Sequence, residues 1–288
     1  MRHLARPALL NPASISLLPG CQRAARLARY QSTAASSDEP ATASLSPRWL
    51  SDLKAKIGKC IMFGLDPVQT KEAGSILQEI AVDWRELVAG SEGFLTGNEQ
   101  RGLYRHRVVW GEMDSMGHVN NVVYNRYAES ARVNWALNFA ATDPAHAAQW
   151  MELMTPNSIG LILRSIRTDY KFPMTYPDRV TVLHKLRNKP ESDIDHFILD
   201  VLILSELHRR PAARCVEDIV VYDYKAARKA PLRPFMVKKF QDMFALQEQA
   251  KETYGNKVQD LIRRVRKLEQ NSWDRPGAKE DFGSATNP

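Results

Sequence analysis

The chain is poor in cysteine: Cys21, Cys60 and Cys215 are the only three in 288 residues. Thiols so few and so scattered exclude a disulfide framework and a zinc site built on paired cysteines, and they suit a reducing compartment. No run of about 18 consecutive apolar residues occurs, so no membrane span is expected. Acid is missing from the start of the chain, where the first carboxylate is Asp38. That acid-free stretch carries Arg2, Arg6, Arg23, Arg26 and Arg29 among Leu, Ala and Ser, the composition of a mitochondrial transit peptide over residues 1–31. Cleavage is expected between Tyr30 and Ser32, and the location is then the mitochondrial matrix. The plainer alternative is an N-terminal arm that stays attached. A secretory signal fits poorly, because Asn, Pro and Ser interrupt the apolar stretches at Leu9-Leu10 and Ile15–Leu18.

Without those five arginines the formal charge falls from +7 to +2, so net charge gives no general argument for nucleic-acid binding. Residues 32–46 are mostly Ser, Ala, Thr and Pro and read as a linker. A helical extension over 47–101 follows. Ser46-Pro47 is a cap and first helical position, with Trp49, Leu50, Leu53, Ile57 and Ile61 at helical spacing. A second helix over 69–88 places Ile76, Leu77, Ile80, Trp84, Leu87 and Val88 on one stripe, closed by Ala89-Gly90. Near the other end, 227–270 reads as a basic helical extension in which Tyr254, Val258, Leu261, Val265 and Leu268 make a short heptad run. Counting from Lys225 to Gln270 gives 12 Lys or Arg against 5 Asp or Glu. Such a run is ordinarily a solvated helix face; the alternative is a docking surface for RNA, the ribosome included, or for an acidic carrier protein. Residues 271–288 read as a disordered tail.

The rest is organised around Trp110-Gly-Glu-Met-Asp-Ser-Met-Gly-His-Val-Asn-Asn-Val-Val-Tyr-Asn-Arg-Tyr-Ala-Glu-Ser-Ala-Arg132. Leu103 to Trp110 is aromatic and β-branched and reads as a strand; Val122 to Phe139 is apolar on more than one face and reads as a buried helix. Between them lie Asp114, Gly117 and His118. Gly117 allows a tight turn, and Asn120 or Asn121 caps the helix, so unpaired backbone N–H groups point back toward the carboxylate and the imidazole. A carboxylate beside a helix N-terminus suits a polarised carbonyl oxygen. The bland alternative is that these are ordinary turn residues.

The string Asp114-Ser-Met-Gly-His-Val-Asn-Asn-x-x-Tyr-x-x-Tyr-x-Glu-x-Ala-Arg132 resembles the signature of the hotdog-fold acyl thioesterases, the 4-hydroxybenzoyl-CoA thioesterase-like family, here in a fungal-type mitochondrial form. Tyr170-Lys-Phe-Pro173 through Asp178-Arg-Val180 matches a second family element, a turn joining two strands. Strand candidates at 159–172, 179–186, 195–207 and 213–224 complete the order. The resemblance covers 102–226 and implies an α+β hotdog fold, an antiparallel sheet wrapped around a long central helix, with helical extensions at both ends.

The resemblance also implies chemistry. Asp114 becomes the general base or nucleophile of thioester hydrolysis, the backbone N–H of Asn121 holds the thioester carbonyl, and His118 assists or orients. Related carrier-protein thioesterases have Asn where this chain has Met116, which favours the simpler scheme with Asp114 as base. Gly117, Tyr124, Tyr127 and Glu129 are substrate-side candidates. The tyrosines would line an acyl wall or be core residues, and Glu129 would act from the central helix or pair with Arg126 or Arg132. Arg164, Arg167, Lys171 and Arg179 are available for phosphates. Family sites lie between protomers, so a homodimer or dimer of dimers is expected. No metal and no cofactor is called for. The substrate implied is an acyl-CoA or an acyl-ACP; the rival from another class is a non-catalytic, ribosome-associated hotdog protein.

Overall fold

The computed structural model describes residues 45, 46 and 48–280. The expected transit peptide, nearly all of the linker, Pro47 and the end of the expected tail lie outside them. The first helix, α1 (Trp49–Met62), buries Leu50, Leu53, Ile57 and Cys60. Ile61, expected on that stripe, is exposed, and its neighbour Cys60 takes the inward position. Asp66 starts α2 (Pro67–Arg85) with a reciprocal box: its carboxylate accepts from the Gln69 N–H at 2.8 Å, and the Gln69 amide oxygen accepts from the Asp66 N–H at 3.1 Å. The expected continuation to Val88 widens into a π-helical turn over Glu86–Gly90.

Five antiparallel strands follow around a helix: β1 (Leu103–Arg107), α3 (Asn121–Thr142), a short α4 (Ala147–Glu152), β2 (Ile159–Tyr170), β3 (Arg179–Leu186), β4 (His196–Ser205) and β5 (Arg210–Asp223). A two-residue β6 (Arg228–Lys229) pairs with β5. The sheet order is β1-β3-β4-β5-β2. This is the hotdog arrangement, with α3 laid across one face. Tyr124, Tyr127, Ala128 and Ala131 of α3 meet Val180, Val182, Val201, Ile203, Ala213 and Cys215. Further along, Trp135, Ala136 and Phe139 meet Leu186, Leu199, Ile219 and Val221. The small residues let the helix approach closely: a Cβ on Gly102 would lie 2.4 Å from the Ala131 carbonyl oxygen.

An antiparallel sheet with one wet face alternates apolar and polar residues. Val201-Leu-Ile-Leu204 of β4 does not, and all four are buried. The second face is covered by the end of α2 and the segment after it. Arg85 donates through Nε to Glu206 at 2.7 Å, Arg214 donates two bonds of 2.6 Å to Glu92, and Lys185 Nζ lies 5.0 Å from the Phe94 ring centre.

The last helix, α5 (Pro234–Asn271), begins in the core, where Phe240 packs on Trp135, Phe139 and Trp150. Its buried Gln247 accepts from the Leu186 N–H at 3.0 Å and donates to the Leu186 carbonyl at 2.9 Å. Val258, Leu261, Val265 and Leu268 are buried on the later turns. Arg264 donates to Glu72 at 2.6 Å and to Glu79 at 2.9 Å on α2, and Arg266 pairs with Glu269 and Asp274. Part of the basic surplus of 225–270 is thus taken up by pairing within the fold. Among the described residues no helix is long and apolar enough to cross a membrane.

Candidate active site

The stretch between β1 and α3 folds as a small hairpin. Met113 and Val119 form an isolated bridge, the Asp114 N–H donates to the His118 carbonyl at 2.8 Å, and the Gly117 N–H donates to the Asp114 carbonyl at 3.1 Å. Gly117 sits at φ +75°, a left-handed backbone that a side chain would strain. The hairpin is fastened below by the Val119 N–H, which donates to the Met174 carbonyl at 2.8 Å. Asp114 Oδ1 accepts from the Met116 N–H at 2.8 Å and, more distantly, from the His118 N–H at 3.4 Å. Both bonds use the same oxygen. Among the described residues Oδ2 has no partner, so it is available to a substrate or a water.

Asn120 is the cap of α3, its side chain accepting from the Val122 N–H at 3.0 Å, and Asn121 is the first helical residue. The Val123 N–H is taken by the Asn120 carbonyl. The Asn121 N–H has no acceptor among the described residues, at the positive end of a 22-residue helix.

These groups open onto one cleft of about 350 Å³, lined by Asp114, Met116, His118, Val119, Asn121, Tyr124, Tyr170, Lys171, Phe172 and Pro173. The candidates Asp114, His118, Asn121 and Tyr124 are therefore brought together. Tyr124 is held on both sides: its hydroxyl accepts from the Met174 N–H at 3.1 Å, and its ring meets Tyr170 edge-on at 5.3 Å. Burial pushes the Tyr124 hydroxyl above its ordinary range, outweighing the Met174 bond that acts the other way, and burial does the same to Tyr170. Both are neutral phenols. Tyr170 donates to the Asn121 carbonyl at 3.0 Å and so ties the cleft wall to the helix start.

Other expected site residues are placed elsewhere. Tyr127 is off the cleft: it is buried in the helix-side core, where it donates to Glu112 at 2.6 Å and has its pKa driven sharply upward by burial and then by that carboxylate. Glu129 is exposed on α3 and lines no part of the cleft. Nor does it pair with Arg132, which turns inward to Glu217 at 2.6 Å. Spacing of three residues would allow the pair, but the buried Glu217 carboxylate holds the Arg132 guanidinium between helix and sheet while Glu129 stays exposed. Of the four cations considered for phosphates, Arg164 is paired with Asp218 and Arg167 with Asp169, whereas Lys171 lines the cleft.

Sequence reasoning missed Phe172 and Pro173 as site residues, and Tyr170 with them, although all three lie in the Tyr170–Pro173 element matched above. The turn that follows β2 crosses beneath the α3 N-terminus, a proximity that local sequence does not show. Glu112, which holds both Tyr127 and the Val109 N–H at 2.8 Å, gave no signal.

Residues 108–240 match the family model described as Thioesterase-like superfamily. The matched thioesterase-like region holds the hairpin, the central helix, β2 to β5 and the first turns of α5. No curated protein matches the chain. Among solved structures, it is similar to a thioesterase from Thermus thermophilus complexed with coenzyme A and Zn, at 22% identity and TM-score 0.40, covering 52% of this chain and 98% of that one. It is also similar to a DHNA-CoA thioesterase from Staphylococcus aureus, at 16% identity and TM-score 0.37, covering 52% and 91%. A third is a 1,4-dihydroxy-2-naphthoyl-CoA thioesterase from Synechocystis, at 18% identity and TM-score 0.38, covering 49% and 93%. What those enzymes act on is a property of those enzymes.

Proposed function

We propose that this protein is an acyl thioester hydrolase acting on acyl-CoA, with Asp114 as general base and the Asn121 N–H as carbonyl donor. One observation carries the reading: an unpartnered carboxylate oxygen and an unpartnered helix-start N–H open onto the same aromatic-walled cleft, inside the thioesterase-like region. A thioester bound with its carbonyl oxygen on the Asn121 N–H gains charge there as the carbon is attacked. Asp114 Oδ2 takes a proton from the attacking water; the C–O bond forms, the C–S bond breaks, and the thiol leaves with that proton. The His118 imidazole, on the same wall, orients the water. Tyr124, Tyr170 and Phe172 are the apolar surface for the acyl group, and Lys171 lines the same cleft. No metal or cofactor enters the scheme.

In this reading β2, twelve residues long and paired on one side only, takes the same strand of a second copy, giving a homodimer in which each cleft is completed by its partner. The expected site of action is the mitochondrial matrix, from the arginine-rich, acid-free start of the chain.

The test is free-thiol release from short, medium, long and aromatic acyl-CoAs by wild type, Asp114→Asn and His118→Ala. Asn keeps the Oδ1 acceptor that the hairpin uses, so the fold is left intact. A loss of about a hundredfold or more in Asp114→Asn supports the general base. Unchanged turnover in that variant, or no turnover of any thioester by wild type, would sink it.

A further inference from the structure

We propose that the strand ends beside the cleft hold a nucleotide subsite, in which Arg107 and Arg179 take phosphate and Trp110 and Tyr176 take the purine ring. The subsite rests on the hydrolase reading for the identity of its ligand, the 3′-phosphorylated adenosine diphosphate end of a coenzyme A ester.

Two pairs sit at the end of one ladder, one on its last rung and one beyond it. Arg107, the last residue of β1, stands directly opposite Arg179, the first residue of β3. Like charges in that position repel across about 5 Å and destabilise the strand pair. Two carboxylates stand nearby, and both are engaged elsewhere. Glu206, whose N–H donates to the Arg179 carbonyl at 2.8 Å, accepts from Arg85 and from the Thr181 hydroxyl. The adjacent carboxylate, Asp178, is buried and occupied, accepting from the Arg179 and Leu207 N–H groups and from the Ser205 hydroxyl. Among the described residues neither guanidinium has an ion-pair partner, and both are exposed. A guanidinium pair to which no carboxylate is bound fits a phosphate, which satisfies both and removes the repulsion.

Three residues away from each arginine, outward from the ladder, Trp110 and Tyr176 meet edge to face, with ring centres 6.1 Å apart and planes at 90°. Trp110 is 74% exposed and Tyr176 48%. An edge-to-face pair covers only one of four ring faces, so flat surface is left open for stacking. The Tyr176 N–H donates to Met113 Sδ at 3.3 Å and the Val108 N–H to the Asp178 carbonyl at 3.0 Å, which fixes the two segments side by side. Asp114, which lines the cleft, is the next residue after Met113. His106 turns onto Tyr127 and Val180 lies in the helix-side core, so alternation puts both arginines on the sheet face away from α3. A coenzyme A ester would thread its acyl end into the cleft, pass Met113 and Tyr176, and turn round the strand ends to the arginines. Phosphate beside an aromatic platform specifies a nucleotide rather than a simple anion.

The full chain is titrated by calorimetry with adenosine 3′,5′-bisphosphate, with coenzyme A and with a short single-stranded RNA. The variants are Trp110→Ala, Trp110→Phe and the double Arg107→Ala/Arg179→Ala, all at exposed positions, with circular dichroism and melting as the fold control. The bisphosphate is expected to bind wild type, about tenfold more weakly to Trp110→Ala and at least about tenfold more weakly to the arginine double variant, with Trp110→Phe close to wild type. In turnover, the double variant raises KM for a coenzyme A ester and leaves kcat unchanged, while the same acyl group on N-acetylcysteamine, which lacks the nucleotide, is turned over equally by both proteins. Bisphosphate binding that the double variant does not weaken overturns the subsite, whether or not thioesters are cleaved. RNA binding without bisphosphate binding overturns it as well. If bisphosphate binding is lost in the double variant but no thioester is hydrolysed by wild type, the nucleotide subsite stands and the hydrolase reading falls.

Discussion

Arg132 on the central helix donates a 2.6 Å hydrogen bond to Glu217 on β5, in the space between helix and sheet where Glu217 has no exposed side-chain surface. The other carboxylate oxygen lies 3.4 Å from His184 Nε2, itself fully buried on β3. Charges in such a place are weak contributors as a pair and costly when separated.

Breaking this pair should therefore be worse than deleting it. Glu217→Ala leaves the guanidinium buried without its carboxylate and is expected to cost roughly 3–5 kcal/mol in chemical denaturation. The double variant Arg132→Met/Glu217→Leu, which replaces the pair with apolar groups of similar volume, should lose less than the single one. Equal losses would mean that the guanidinium left behind in Glu217→Ala incurs no burial cost.

The extension clamped on the outer sheet face offers a comparison of two carboxylates. Glu206 is nearly buried and accepts from Arg85 and from the Thr181 hydroxyl, while Glu92 and Arg214 are each about one-third exposed or more. Solvent screening limits the exposed pair to about 0.2–1 kcal/mol. Glu206→Ala should lower the melting temperature clearly more than Glu92→Ala, and hydrogen exchange should show the π-helical turn loosened in the first variant only.

Gly117→Ala tests the hairpin. A Cβ there meets nothing within 4 Å, so its cost is conformational, from φ +75°, and should be about 1–2 kcal/mol. Because the turn sets the direction of the Asp114 carboxylate, turnover should fall by more than stability does. A variant that melts lower but turns over normally would show that the hairpin relaxes without moving Asp114.

The central motif was legible because its parts are local. The cap, the glycine turn and the carboxylate fall within eight residues, and the hotdog order follows from strand periods around one long helix. The two-faced burial of the sheet was written in Val201–Leu204, but what covers the second face was not, since it comes from residues about a hundred positions earlier. Leu77 and Ile61 show the same limit: helical spacing assigns a stripe, and tertiary packing selects which members of it go inside. The fate of the basic surplus was beyond reach for the same reason, since Arg264 finds Glu72 and Glu79 only in the folded chain.

Cys215 supplies a pH prediction. It is buried on β5 and its thiol is pushed up to about 11, chiefly by burial, with the Thr168 hydroxyl acting in the opposite sense. A raised folded-state pKa on an acid favours the neutral thiol in the fold. Below about pH 8.5 the thiol is neutral in both states and contributes no pH dependence. Above that the unfolded thiol ionises first, the unfolded state holds fewer protons, and stability falls as pH rises toward 11. The loss should reach about 2–3 kcal/mol, a little under 1.4 kcal/mol for each pH unit crossed. Tyrosines and lysines titrate in the same window, so the quantity to measure is the difference between wild type and Cys215→Ala in urea unfolding at a series of pH values. Wild type should lose stability faster than the variant above about pH 9, and parallel curves would show that the thiol ionises inside the fold as readily as outside it. The same burial predicts that iodoacetamide labels Cys215 in the native protein at neutral pH only as fast as the chain opens.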